Sequence, residues 1–323
     1  MLFDEQISRK PNYYPWTEAF CDAMDNGQWS STEFSFIQDR NSYLSLLNDE
    51  ERSIIKKTLA MIASIELPVK SYWANLGKHL KRPEFIDLGI CFANIERIHS
   101  AGYGKLLDVL QLETEFELVL QEKVIANRMK YLKKHGERVY ASDKQQFLYS
   151  LILFSLYTEN VSLFSQFYIV NWFNKFRRFG KDLPNQTAYT AREENLHAEA
   201  GMAIFNQARI EYPEFFTPEF EEKIVHEAGE ALKAEEQIID WVIGNYTGES
   251  MSADHLKSYL RNRLNVSLQK IGYKKQFEVN PIHVKETRWM DEEIIGGVMT
   301  DFFKSRPTEY AKKTQVIDED SIF

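Results

Sequence analysis

Two tetrads, Glu96-Arg-Ile-His99 and Glu194-Asn-Leu-His197, each set a carboxylate and an imidazole three residues apart. On a helix that spacing puts both side chains on one face, aimed at the same point. A further glutamate stands upstream of each tetrad on its own expected helix, Glu66 before the first and Glu159 before the second. Four carboxylates and two imidazoles drawn from four helices form a ligand set for a pair of hard or borderline metal ions.

The helices must place these groups inside the protein. A helix opening near Asn48 and Asp49 carries a core seam through Ile55, Leu59, Ile62, Glu66, Val69, Trp73 and Leu76, so Glu66 falls on the apolar stripe. The next helix repeats the arrangement with Phe92, Glu96, His99, Tyr103, Leu106 and Leu110. A carboxylate on such a seam must shed its charge, pair with a cation or bind a metal. Taken alone, Glu159 reads better as an ion pair or a residue at the edge of the seam. Lys70, one turn after Glu66, offers that glutamate a partner of the same kind. The doubled constellation favours metal, because only His99 and His197 among the seven histidines have a glutamate three residues before them. His79, His135, His226, His255 and His283 read as surface or capping residues.

Glycine and proline are sparse and apolar residues recur at three- and four-residue steps, which predicts an all-α chain. Further helices are expected over about 113–134, 143–171, 186–211, 218–243 and 252–270. Lys181-Asp-Leu-Pro184 and Tyr212-Pro-Glu-Phe-Phe-Thr-Pro218 read as connections. Residues 1–45, aromatic and irregular, read as an arm lying across the bundle, with one short helix at Glu18 to Met24. A single domain is expected over 1–305. Residues 306–323 lose the apolar period and read as a flexible acidic tail with an apolar tip.

Composition removes other classes of function. The chain has 323 residues, a formal charge of −9 and no dense basic stripe, which argues against a nucleic-acid surface. Two cysteines, Cys21 and Cys91, make neither a disulfide framework nor a zinc knuckle. With no signal-peptide pattern at the start, the expectation is a cytoplasmic protein. The apolar run from Leu148 to Leu156 is too short to span a bilayer and reads as a core helix, so no membrane partner is expected. A Gly-rich phosphate loop is absent.

The ordered set Glu66, Glu96-Arg-Ile-His-Ser-Ala-Gly-Tyr103, Glu159 and Ala191-Arg-Glu-Glu-Asn-Leu-His197 resembles the small, radical-generating subunit of class I ribonucleotide reductase, over essentially the whole chain. The resemblance implies a ferritin-like helical bundle with additional helices, holding a dinuclear iron or manganese centre. Glu66, Glu96 and His99 would serve one ion and Glu159, Glu194 and His197 the other, with some carboxylates bridging. Tyr103 stands where the family keeps its radical-bearing tyrosine. Its alternative is a core tyrosine with a satisfied hydroxyl. Trp29 matches the tryptophan of the electron relay, or else anchors the arm. Glu193 stands where an aspartate commonly links that tryptophan to a ligand histidine. Tyr310 matches the mobile tyrosine that continues the relay across the subunit interface.

The family commonly has aspartate where this chain has Glu66, and the longer side chain is that of some manganese-using members. Those that combine manganese with iron and dispense with the tyrosine usually carry phenylalanine at the position of Tyr103. Lys70 beside the carboxylates would offset negative charge and draw in a small anion such as superoxide. This chain keeps Tyr103, so its pairing with Glu66 leaves open whether the oxidant is a tyrosyl radical or an oxidised metal pair, while Glu66 and Lys70 tilt the expectation toward a manganese-containing centre, Mn/Mn or Mn/Fe, with Fe/Fe left open. The resemblance implies a homodimer that uses oxygen or superoxide to create a one-electron oxidant. The large subunit, docked on the tail, would draw on that oxidant to reduce ribonucleotides to deoxyribonucleotides. Two rivals stand beside this reading: a dimetal oxidase acting on its own bound organic substrate, and an iron-storage bundle. Trp29 and Tyr310 argue against the first, and the helices beyond 211 have no use in the second.

Overall fold

The computed structural model describes residues 1–136 and 143–295. Thirteen α-helices and four 3-10 or π segments are found there, and no named strand. The bundle that matters for function consists of α3 (Asp49–Ala74), α5 (Pro83–Leu110), the run from α8 (Lys144–Ile152) through a π-helical segment (Leu153–Ser162) to α9 (Leu163–Arg177), and α10 (Asp182–Glu211). α3 packs along α5 and against α9, while α10 packs on the π segment, α9 and α5. Outside this unit lie α6 (Glu113–Leu120) and α7 (Lys123–Gly136), then α11 (Pro218–Ile243), α12 (Ala253–Lys270) and α13 (Pro281–Thr287).

Local chemistry starts these helices where they are needed. Asn48 caps α3 in a reciprocal box: its side chain accepts from the Glu51 N–H at 2.9 Å, and Glu51 accepts from the Asn48 N–H at 3.0 Å. The run Lys144–Arg177 is apolar and long enough to cross a bilayer, but its most apolar window is wholly buried in the protein, where it forms the centre of the core. Two glycines allow close approach. A Cβ at Gly201 of α10 would collide with the Ser155 side chain, and one at Gly102 of α5 with Gln186 of α10.

The arm holds its expected short helix at Glu18 to Met24, inside a longer one, but is otherwise more regular than expected. It contains α1 (Trp16–Gly27), a 3-10 turn at Ser31–Glu33 and α2 (Ile37–Ser45). Its role is tertiary. The buried Asp39 carboxylate accepts the backbone N–H groups of Lys181, Asp182 and Leu183 at 2.9–3.0 Å, satisfying donors at the start of α10. Asp182 returns the favour by accepting from the Ser35 and Phe36 N–H groups.

Other boundaries moved as well. The helix expected over 113–134 is broken at Gln121 and Glu122 into α6 and α7, with no glycine or proline to mark the break. The third bundle helix runs on to Arg177. The Lys181–Pro184 connection is instead the start of α10, with Pro184 in its first turn, where a missing N–H costs little. After Lys270 come α13 and a π turn at Met290–Ile295, neither of which the periodicity indicated. The end of the expected domain and the tail 306–323, with Tyr310, lie outside the described residues.

Candidate metal centre

Each bundle helix delivers carboxylates or imidazoles to one interior point. α3 supplies Glu66, α5 supplies Glu96 and His99, the π segment supplies Glu159, and α10 supplies Glu194 and His197. All six are at most 2 % exposed. Glu159 sits in the widened π turn, which shifts the direction of side chains relative to an ordinary helix.

The six fall into two overlapping groups, Glu66 with Glu96 and His99, and Glu96 with Glu159, Glu194 and His197, whose ligand atoms lie within 4.8 Å of one another. His99 Nδ1 is 3.2 Å from Glu194, 3.5 Å from Glu96 and 3.7 Å from Glu66. His197 Nδ1 is 3.0 Å from Glu96 and 3.3 Å from both Glu159 and Glu194. Glu96 and Glu194 therefore stand between the two imidazoles. Both oxygens of Glu66 and of Glu194, together with the Nδ1 atoms of both histidines, are buried without a partner in hydrogen-bonding geometry. Buried polar atoms of this kind are costly unless something binds them. Four carboxylates and two imidazole nitrogens are the donor set for manganese or iron, so the residues fit a dinuclear centre.

The protonation balance follows from burial against charge. Burial pulls the His99 imidazole down, but the carboxylates of Glu193, Glu194 and Glu96 around it outweigh that and hold the group well above its ordinary value. His197 is raised in the same way through Glu159, Glu194 and Glu96. Desolvation lifts Glu159 to about 8 and pushes Glu66 well up. Glu96 goes the other way: desolvation raises it, but the two flanking imidazoles outweigh that and hold it down at about 2, so without metal the protons stay on Glu66, Glu159 and the two histidines.

Beyond the six residues, His99 turns Nε2 toward Glu193 Oε2 at 2.7 Å, and the Trp29 indole N–H reaches the same carboxylate at 3.0 and 3.1 Å. The Trp29 and His99 rings are stacked. Tyr103 is buried one turn past His99, with its hydroxyl 3.4 Å from Thr190 Oγ1. Burial, reinforced by the Glu66 charge, raises its phenol so that it stays neutral. Lys70 is partly exposed, and Glu66 keeps both oxygens without a hydrogen-bond partner, so no hydrogen bond joins the two.

Sequence reasoning placed Trp73 and Phe92 on the seams as core residues only. Trp73 donates its indole N–H to Glu159 Oε1 at 2.5 Å, and Phe92 packs on the His197 ring with centroids 4.2 Å apart. The seven-residue step from Glu66 to Trp73 puts both on one face of α3 and is the signal that was available.

A helical bundle with two Glu-x-x-His pairs and two further glutamates converging in its core defines the class of carboxylate-bridged dimetal proteins. The particular family follows from comparison with known proteins. The family model described as ribonucleotide reductase, small chain, matches residues 6–285. The chain is 22 % identical over 330 residues to a probable ribonucleoside-diphosphate reductase small subunit of Invertebrate iridescent virus 3, covering 96 % of this chain and 86 % of the viral protein. It is 21 % identical to the ribonucleoside-diphosphate reductase subunit beta of Treponema pallidum, covering 95 % and 88 %. Among solved structures it resembles the ribonucleotide reductase R2 subunit of Clostridium botulinum, with a TM-score of 0.80 at 19 % identity, over 91 % of this chain and 98 % of that one. It also resembles the dimanganese(II) NrdF of Streptococcus sanguinis, with a TM-score of 0.71 at 15 % identity, over 88 % and 100 %. The chain belongs to the ribonucleotide reductase small-chain family, as an R2-type subunit of a class I enzyme, an oxidoreductase component that works with a large subunit.

Proposed function

We propose that Glu66, Glu96 and His99 would hold one metal ion and Glu159, Glu194 and His197 the other, with some of the carboxylates shared, in the small subunit of a ribonucleoside-diphosphate reductase. When bound and activated by oxygen or superoxide, such a metal pair would supply a one-electron oxidant. The surrounding residues store and export it. The bundle core keeps water from the site, and the buried neutral Tyr103 phenol is an oxidisable group beside it. Export runs through Trp29, Glu193 and His99, in which the Glu193 carboxylate accepts from the indole N–H and fixes the His99 ring so that Nδ1 faces the ligands. Tyr310 and the tail 306–323 carry the oxidant on to the large subunit, where the nucleotide is reduced. The working assembly is a homodimer bound to that subunit in the cytoplasm.

The observation that carries this reading is the doubly engaged His99, with one nitrogen on the carboxylate cluster and the other tied through Glu193 to Trp29. An oxidase acting on its own substrate has no need of that second connection. Glu66 as the first ligand favours manganese in at least one position. Lys70, on the same helix one turn on, supports the approach of an anionic oxidant. Metal analysis and electron paramagnetic resonance on protein from its native host, with turnover in the presence of the large subunit, test the proposal. Two metals per chain including manganese, and deoxyribonucleotide formation only in the complex, are expected. Deoxyribonucleotide formation absent from a fully loaded complex, or a single metal per chain, would contradict it.

A further inference from the structure

The two cysteines take no part in the metal centre, yet the fold brings them together. Cys21 is on α1 and Cys91 on α5, and Cys91 Sγ lies 3.9 Å from the Cys21 carbonyl oxygen across 70 residues of chain. Both side chains are free and partly exposed, and both line a surface cavity of about 690 Å³. Its wall is acidic: Glu18, Asp22 and Asp25 come from α1, and Glu84 and Asp87 from α5. Arg9, the cation beside them, is paired with Asp87 at 2.7 Å.

We propose that Cys21 and Cys91 form a dithiol that neutral peroxides oxidise to an intrachain disulfide. The acidic wall selects the oxidant, because it repels anionic disulfides such as oxidised glutathione and leaves uncharged hydrogen peroxide free to enter. The neighbouring Cys21 thiol lowers the Cys91 pKa below its ordinary value against the opposing effects of burial, Asp25 and Asp87, while Cys91 and burial push Cys21 up. Cys91 is accordingly the first nucleophile. Its sulfur attacks one peroxide oxygen, the O–O bond breaks, and the departing hydroxide takes up a proton as water, leaving a sulfenic acid on Cys91. The Cys21 sulfur then attacks that sulfur, the S–S bond forms, the S–O bond breaks, and a second water leaves. Two thiols and one peroxide become one disulfide and two waters, with two electrons passing from sulfur to oxygen. The product ties α1, which ends two residues before Trp29, to α5, five residues before Glu96. Oxidation thus fastens the segment that presents the indole to the helix that carries two of the proposed ligands.

The test uses the full-length protein, reduced, freed of reductant and treated with a small excess of hydrogen peroxide. The expected result is an intact-mass loss of about 2 Da, the two thiol hydrogens, reversed by dithiothreitol. A peptide joining Cys21 to Cys91 should appear in the non-reduced digest. In Cys21→Ser, dimedone should trap a sulfenic acid on Cys91 and no cross-link should form; in Cys91→Ser, Cys21 should remain a thiol. Thiols that both survive peroxide, cysteines oxidised separately to sulfinic acids, or a cross-link only between different chains would each overturn the proposal. None of these readouts depends on metal content or on turnover.

Discussion

The Trp29 indole lies stacked against the His99 imidazole, with ring centroids 6.0 Å apart and planes inclined by 24°. One carboxylate, Glu193, joins both rings through their N–H edges. The buried Trp29 indole is thereby connected to the Nε2 edge of His99, whose other nitrogen, Nδ1, faces the carboxylate cluster.

Glu193→Gln tests that connection. The amide retains the shape but loses the charge that holds His99 above its ordinary pKa, so metal stoichiometry should persist while turnover with the large subunit falls about 10–100-fold. Metal analysis and a coupled assay on the same preparation separate the two effects. Unchanged turnover would remove Glu193 from the relay.

Trp73→Phe addresses the opposite side of the site. It deletes the indole donor to Glu159 while keeping an aromatic ring in the core. A buried carboxylate deprived of a donor costs about 1–3 kcal/mol. Thermal unfolding should show that loss in the metal-free protein, and titration should show weakened binding of the second ion with the first retained.

Stability of the metal-free protein should depend on pH in a particular direction. Desolvation lifts Glu159 from 4.5 to about 8, and both buried histidines are also raised. A folded state that binds more protons than the unfolded one is most stable below the unfolded pKa and loses that stability as pH rises through the folded value. The unfolding midpoint should therefore fall by several degrees between about pH 5 and pH 8. Manganese displaces those protons, so adding it should raise the midpoint most at the alkaline end. A midpoint that rises with pH in the metal-free protein would contradict this account.

Tyr103→Phe locates the oxidant. Turnover retained after manganese loading is the expected outcome, with loss after iron loading, since the metal pair would then hold the oxidising equivalent in the first case and the phenol in the second. Loss under both conditions, with intact folding and metal content, would assign the oxidant to Tyr103.

Removal of residues 311–323 should leave the unfolding midpoint nearly unchanged and abolish stimulation of the large subunit. Full activity of the truncated chain would place docking elsewhere.

Much of this protein was legible in the order of its residues because the governing spacings are local. Glu96 with His99 and Glu194 with His197 share helix faces by virtue of a three-residue step, and Glu66 betrays itself by interrupting an apolar seam. Glu159 carried no such mark. Only tertiary structure reveals that a π segment turns it toward His197 and that Trp73, from another helix, donates to it. Helix ends were equally a matter of long-range contacts. Asp39 satisfies the first N–H groups of α10 from a segment that reads as irregular, and α6 parts from α7 with no breaker in the sequence. The meeting of Cys21 with Cys91, 70 residues apart, has the same origin. Periodicity specifies which face of a helix is buried, whereas the partner that face meets depends on how separate helices pack, and no local spacing encodes that.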